Sequence, residues 1–215
     1  MILLYNTNSS HNPNSYLTLA IEEAMRRLLP GEDVHRVDER RLLAELAAGT
    51  CRMLLCLDGQ RLNAGLLARA RPAVGRLVLW VFEDPFMLDH HLAHASLFDL
   101  IFTNDPSCVD AYRGKGHFLP LAASRTLHHL PVREAPALRR DIFFAGTMWP
   151  NRVRAVRRVI AAFPQASMML VCPTNPYLPP LPPAITERAL TTPISHEAFT
   201  RFANTSRVTL TLFRD

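Results

Sequence analysis

The chain has 215 residues, 48% hydrophobic and 20% charged, an ordinary globular composition that can bury one large domain, or one complete domain and part of another. Its net charge of +5 rests on arginine, since Lys115 is the only lysine, and the arginines are scattered rather than gathered in a block. No nucleic-acid partner is therefore expected, and an anionic small molecule such as a phosphate suits the mild basic excess better. The amino terminus MILLYN has no basic flank and no apolar run approaches about 18 residues, so a cytoplasmic chain without a transmembrane segment is expected.

The first half alternates strand and helix. Residues 1–5 are continuously apolar, as a strand covered on both faces requires, and the polar loop 6–14 ends it. A helix follows, N-capped by Asn14 or Ser15, with Leu17, Ile21, Met25 and Leu28 as one apolar stripe and Pro30-Gly31 as its stop. Residues 34–37 form a brief second strand, and Leu42, Leu43 and Leu46 mark a helix stopped by Gly49. Residues 52–57 are a third strand ending at the turn pair Asp58-Gly59, with Leu62, Leu66 and Leu67 on the helix after it. Residues 76–82 are a fourth strand, continued by Glu83, Asp84 and Pro85. A fifth strand spans 97–103, a short helix 106–113 and a sixth strand 117–119. This alternation predicts a parallel sheet wound on both faces, which binds ligands outside the carboxyl ends of its strands. That rim holds residues 8–14, Glu83, Asp84, Asn104 and Asp105.

Residues 125–139 lack a period and contain Pro131 and Pro136, so they read as a linker. The rhythm then restarts. Residues 142–145 form a strand, Gly146-Thr147 a tight turn, and Pro150 takes the first helical position. Val153, Val156, Ile160 and Phe163 make the buried stripe of that helix, with Arg152, Arg154, Arg157 and Arg158 on its other faces. Residues 167–172 form a strand. Segment 173–183 holds six of the 17 prolines, which excludes helix and central strand; a stiff surface loop is the economical reading, a polyproline ligand the other. Residues 196–202 are helical and 208–213 a final strand. The fold class is therefore α/β, with two Rossmann-like doubly wound parallel-sheet domains, 1–124 and 140–215, and a cleft expected between them. The second is incomplete, to be finished by further chain or a partner.

The four cysteines show no C-x-x-C spacing and read as buried reduced thiols. His90 and His94, four apart, share a helix face as two metal ligands would, which opens the alternative of a metal-dependent hydrolase. No third ligand stands near them and no Glu lies between them, so no metal site is assigned. His128-His129 falls in the linker.

The succession LVLWVFEDP, FDLIFTND, HFLPLAAS and IFFAGTMWPNR resembles the spore-maturation CgeB-type proteins, which look like glycosyltransferases of the two-Rossmann-domain (GT-B) class. In that family a strand ending aromatic-acidic-Pro precedes a Phe-Asp-x-hydrophobic-Phe-Thr strand. A Leu-Pro-x-Ala segment leads into the linker, and a Phe-x-Gly-(Ser/Thr) strand end with Asn-Arg beyond it opens the second domain. The likeness runs from about Leu77 to Asp215, carried by the order and spacing of the motifs. It implies transfer of a sugar from a nucleotide-diphosphate donor, a co-substrate rather than a cofactor, to an acceptor hydroxyl on a carbohydrate, a protein or another molecule, without a metal. Family members continue into an acidic, Gly-bearing segment that grips the nucleotide, so the resemblance implies that this chain is the N-terminal portion of a longer enzyme. The alternative is a non-catalytic GT-B-like module that binds a protein.

On this resemblance Gly146, Thr147, Asn151 and Arg152 take the donor diphosphate. The turn would supply N–H groups, the helix its positive end and Arg152 a bidentate cation. Asp84, with Glu83 as its alternate, would orient or deprotonate the acceptor hydroxyl, and His11, Asn14 and Asn104 would touch the acceptor.

Overall fold

The computed structural model describes residues 1–7, 15–128 and 138–213. Two compact units divide the chain, Met1–Ala122 and Ala123–Asp215. Each is built around its own parallel sheet.

In the first unit β1 (Ile2–Asn6) leads through α1 (Ser15–Leu28) to β2 (Val34–Val37), and α2 (Glu39–Ala48) to β3 (Cys51–Asp58). Next come α3 (Ala64–Ala70), β4 (Val74–Val81), α4 (Leu88–His94), β5 (Leu100–Thr103), two 3-10 turns, and β6 (Gly116–Phe118). The strand order is β2-β1-β3-β4-β5-β6, all parallel. The chain steps from β1 to β2 in one direction and from β2 through to β6 in the other. A right-handed crossover then puts the helices of the two directions on opposite faces. The packing agrees: Leu3, Tyr5, Leu54, Cys56, Leu77 and Leu79 share a core with Leu42, Leu46, Leu66 and Leu67 of α2 and α3. The alternate strand residues Ile2, Leu4, Leu55, Leu57 and Val78 pack with Leu17, Ile21 and Met25 of α1. This alternation explains why β1 reads as an unbroken apolar run.

In the second unit α5 (Arg125–His128) precedes β7 (Ile142–Ala145), α6 (Pro150–Ala162), β8 (Met168–Val171), α7 (Pro183–Thr186), β9 (Ala189–Leu190), α8 (His196–Thr205) and β10 (Val208–Thr209). The order is β10-β7-β8-β9, again parallel. Phe144, Leu170 and Cys172 pack with Val156 and Ile160 of α6, while Phe143 and Val171 pack with Phe202 of α8. This sheet is therefore also covered on both faces.

Several expectations need correction. Leu28, 71% exposed, leaves the stripe of α1 because Leu29, four residues after Met25, packs on the core instead. Phe163, 57% exposed, is the C-cap of α6 and has left helical backbone (φ −130°, ψ 63°), which turns its side chain away from the stripe. The fifth strand begins only at Leu100, because residues 95–97 form a 3-10 turn and the Asp99 carboxylate accepts from Leu77 N at 2.8 Å and Arg71 Nη2 at 2.8 Å. The proline segment ends in α7, with Pro183 at a first-turn position where its missing N–H costs nothing. Part of the linker is helical, as α5; residues 129–137 lie outside the described residues.

Candidate functional site

Both sheets have a strand where the winding direction reverses. In open α/β sheets ligands bind at the carboxyl ends beside that point. In the first unit it lies between β1 and β3, at Asn6, Thr7 and the Asp58-Gly59 turn. In the second it lies between β7 and β10, at the Gly146–Arg152 segment.

The first rim is tightly bonded from within. Thr7 Oγ1 donates to Leu57 O at 3.0 Å and accepts from Gly59 N at 3.0 Å. Gly59 has φ +83°, and a Cβ there would stand 3.0 Å from His91 Cδ2. His90 Nε2 lies 3.1 Å from Gly59 O.

Asp84, expected to face an acceptor, is 3% exposed. Its Oδ1 accepts from His91 Nδ1 at 2.7 Å, and its Oδ2 accepts from Thr103 Oγ1 and Tyr112 OH, each at 2.7 Å. Asn104 fixes the backbone of the same residue, accepting from Asp84 N at 3.1 Å and donating to Asp84 O at 3.0 Å. Burial alone would raise the Asp84 carboxyl, but the hydrogen bonds from His91, Tyr112 and Thr103 outweigh it and hold the group below its ordinary value. The Tyr112 phenol is driven well above its usual range, first by burial and then by its bond to Asp84. With Asp84 ionised, His91 Nδ1 is the donor of their bond, and the buried Nε2 of the ring has no hydrogen-bond partner among the described residues. In this geometry both carboxylate oxygens of Asp84 serve the fold. Glu83 is half-buried at the same rim, and Asn104 is committed to Asp84. His11 and Asn14 lie outside the described residues.

In the second unit Gly146 N donates to Val171 O at 2.9 Å, which ties the turn to β8. Thr147 O accepts from Trp149 N at 3.1 Å and from Arg152 Nη1 at 3.0 Å. The Arg152 guanidinium therefore lies over the turn, and a Cβ on Gly146 would meet its Nη1 at 3.2 Å. Trp149 makes no side-chain cap on α6, whose first-turn N–H groups are those an α-helix leaves for an external acceptor. Asn151 Nδ2 donates to Phe213 O at 2.8 Å, which links the start of α6 to the segment after β10. The structure thus gathers Gly146, Thr147, Asn151 and Arg152 around one turn.

His90 and His94 share a face of α4, with ring centroids 5.3 Å apart. Among the described residues no group of three His, Cys, Asp or Glu could hold a metal ion, and no helix is long and apolar enough to cross a membrane. His91, Thr103 and Tyr112 were not singled out from the sequence. They come from three elements, and only His91, beside the noted His90, carried any linear signal. No protein-family model matches the chain, and no curated protein matches it.

Proposed function

We propose that the chain is part of a GT-B-like glycosyltransferase of CgeB type, which binds a nucleoside-diphosphate sugar through its second unit. The observation that carries the reading is the position of the Gly146–Arg152 segment. It combines a glycine turn, a guanidinium and the N-terminus of a 13-residue helix at the β7/β10 reversal, where a doubly wound sheet takes its ligand. The resemblance in motif order points to the same residues.

In the reaction, the acceptor oxygen forms a bond to the anomeric carbon as the bond from that carbon to the diphosphate breaks. The electron pair and negative charge pass to the terminal phosphate. First-turn amides of α6 and the Arg152 guanidinium, held over the turn by its bond to Thr147 O, stabilise that charge. The acceptor proton passes to a general base. Asp84 does not take that role, because its carboxylate is enclosed and fully bonded within the first unit.

The test is thermal unfolding of the chain with UDP, GDP, ADP or dTDP. One of them at about 100 times its Kd should raise the Tm by roughly 5 to 10 °C, and the rise should shrink in Arg152→Ala. No rise with any of the four would sink the reading.

A further inference from the structure

Tyr177 is 92% exposed, the highest of the large apolar and aromatic side chains described. It stands on the loop between β8 and α7, at the carboxyl edge of the second sheet. β8 pairs with β7 in the register Ala145 with Val171, so this loop and the Gly146 turn leave the same edge from adjacent strands, about 5 Å apart. They also share a core: Leu181 of the loop packs on the cluster that contains Met148 of the turn.

The loop holds its shape without a regular element. Tyr177 N donates to Asn175 Oδ1 at 2.9 Å, Leu178 N to Asn175 O at 3.1 Å, and Thr174 N to Thr191 O at 3.0 Å. Six prolines in residues 173–183 fix the backbone further. An aromatic ring on such a mount loses little entropy when it is covered, and no Asp or Glu stands in the segment to repel a diphosphate.

We propose that Tyr177 is a stacking platform for the base of the nucleotide, which makes the ligand of this edge a nucleoside diphosphate rather than a bare phosphate or diphosphate. The inference rests on the donor-binding reading above. Stacking on an aromatic face tolerates any base, so the platform sets the ligand class without choosing among bases.

The experiment compares the chain with its Tyr177→Ala and Tyr177→Phe variants by calorimetric titration with UDP, GDP, ADP, dTDP and inorganic pyrophosphate. The inference expects at least one nucleotide to bind more tightly than pyrophosphate. Tyr177→Ala should weaken that nucleotide about tenfold and leave pyrophosphate unchanged, while Tyr177→Phe keeps the affinity. Equal nucleotide affinity in the chain and in Tyr177→Ala overturns the inference and leaves the donor reading standing. Equal loss for nucleotide and pyrophosphate also overturns it, because the substitution would then act on the loop and not on the base. Failure of the unaltered chain to bind any of the five probes overturns the donor reading itself.

Discussion

Replacing Asp84 with asparagine separates a structural carboxylate from a catalytic one. The side chain keeps its shape, so no cavity opens, but three buried hydrogen bonds lose their charged acceptor. Bonds to a charged group contribute about 1 kcal/mol more than neutral ones, so Asp84→Asn should destabilise the first unit by roughly 3 kcal/mol. If the new NH₂ faces His91, it meets the Nδ1 donor of that ring and the bond between them is lost. The pH dependence has a definite sign. The folded pKa is depressed, so the contribution is present above the unfolded value of about 3.9 and is lost as pH falls through the folded value. The stability gap between the chain and Asp84→Asn should therefore hold at pH 7 and close below about pH 4. Urea unfolding followed by tryptophan fluorescence measures it. Of the two tryptophans, Trp80 belongs to the first unit, where its Nε1 donates to Leu119 O at 3.3 Å, and a Trp149→Phe background leaves Trp80 as the sole reporter. A midpoint unchanged at constant slope, or a gap that does not vary with pH, refutes the reasoning.

Other outcomes follow from the same geometry. Gly59→Ala should cost about 1 to 3 kcal/mol by denaturation, because alanine at φ +83° is strained and its Cβ would stand 3.0 Å from His91 and 3.3 Å from Val81. Asn104→Ala should lower stability by about 2 kcal/mol in the same assay, since it removes both side-chain bonds to the Asp84 backbone. All four cysteines are buried and free, and burial raises each thiol, Cys172 to about 11. None should react with Ellman's reagent at pH 8 in the folded chain, and all four should react after denaturation.

What the sequence made legible was local. The apolar run at residues 2–5, the turn pair Asp58-Gly59 and Pro150 at the head of a helix each declare their element through a few neighbouring residues. Alternation of such elements was enough to predict parallel sheets. It could not separate residues 97–99 from a strand, because the deciding interactions, Leu77 N and Arg71 Nη2 to the Asp99 carboxylate, arrive from 22 and 28 residues away. Nor did it foresee α7, since Pro183 both ends a proline-rich run and opens a helix.

Asp84 shows why site chemistry is harder to read than fold. A carboxylate at the end of a parallel strand has the same sequence signature whether it faces a ligand or turns inward. The difference lies in His91, Thr103 and Tyr112, which stand 7, 19 and 28 residues further along and reach the carboxylate only after α4, β5 and a 3-10 turn have packed. Three donors at 2.7 Å leave the group nothing to gain from a substrate hydroxyl, so its value to a rim lies in rigidity. It holds the strand end that presents Glu83, and its partner His91 lies beneath Gly59 at the β1/β3 reversal. The Gly146–Arg152 turn differs in kind. Its groups lie within seven consecutive residues, so one loop and the first turn of α6 bring them together, and the distant bonds from Gly146 N to Val171 O and from Asn151 Nδ2 to Phe213 O only anchor the turn in place.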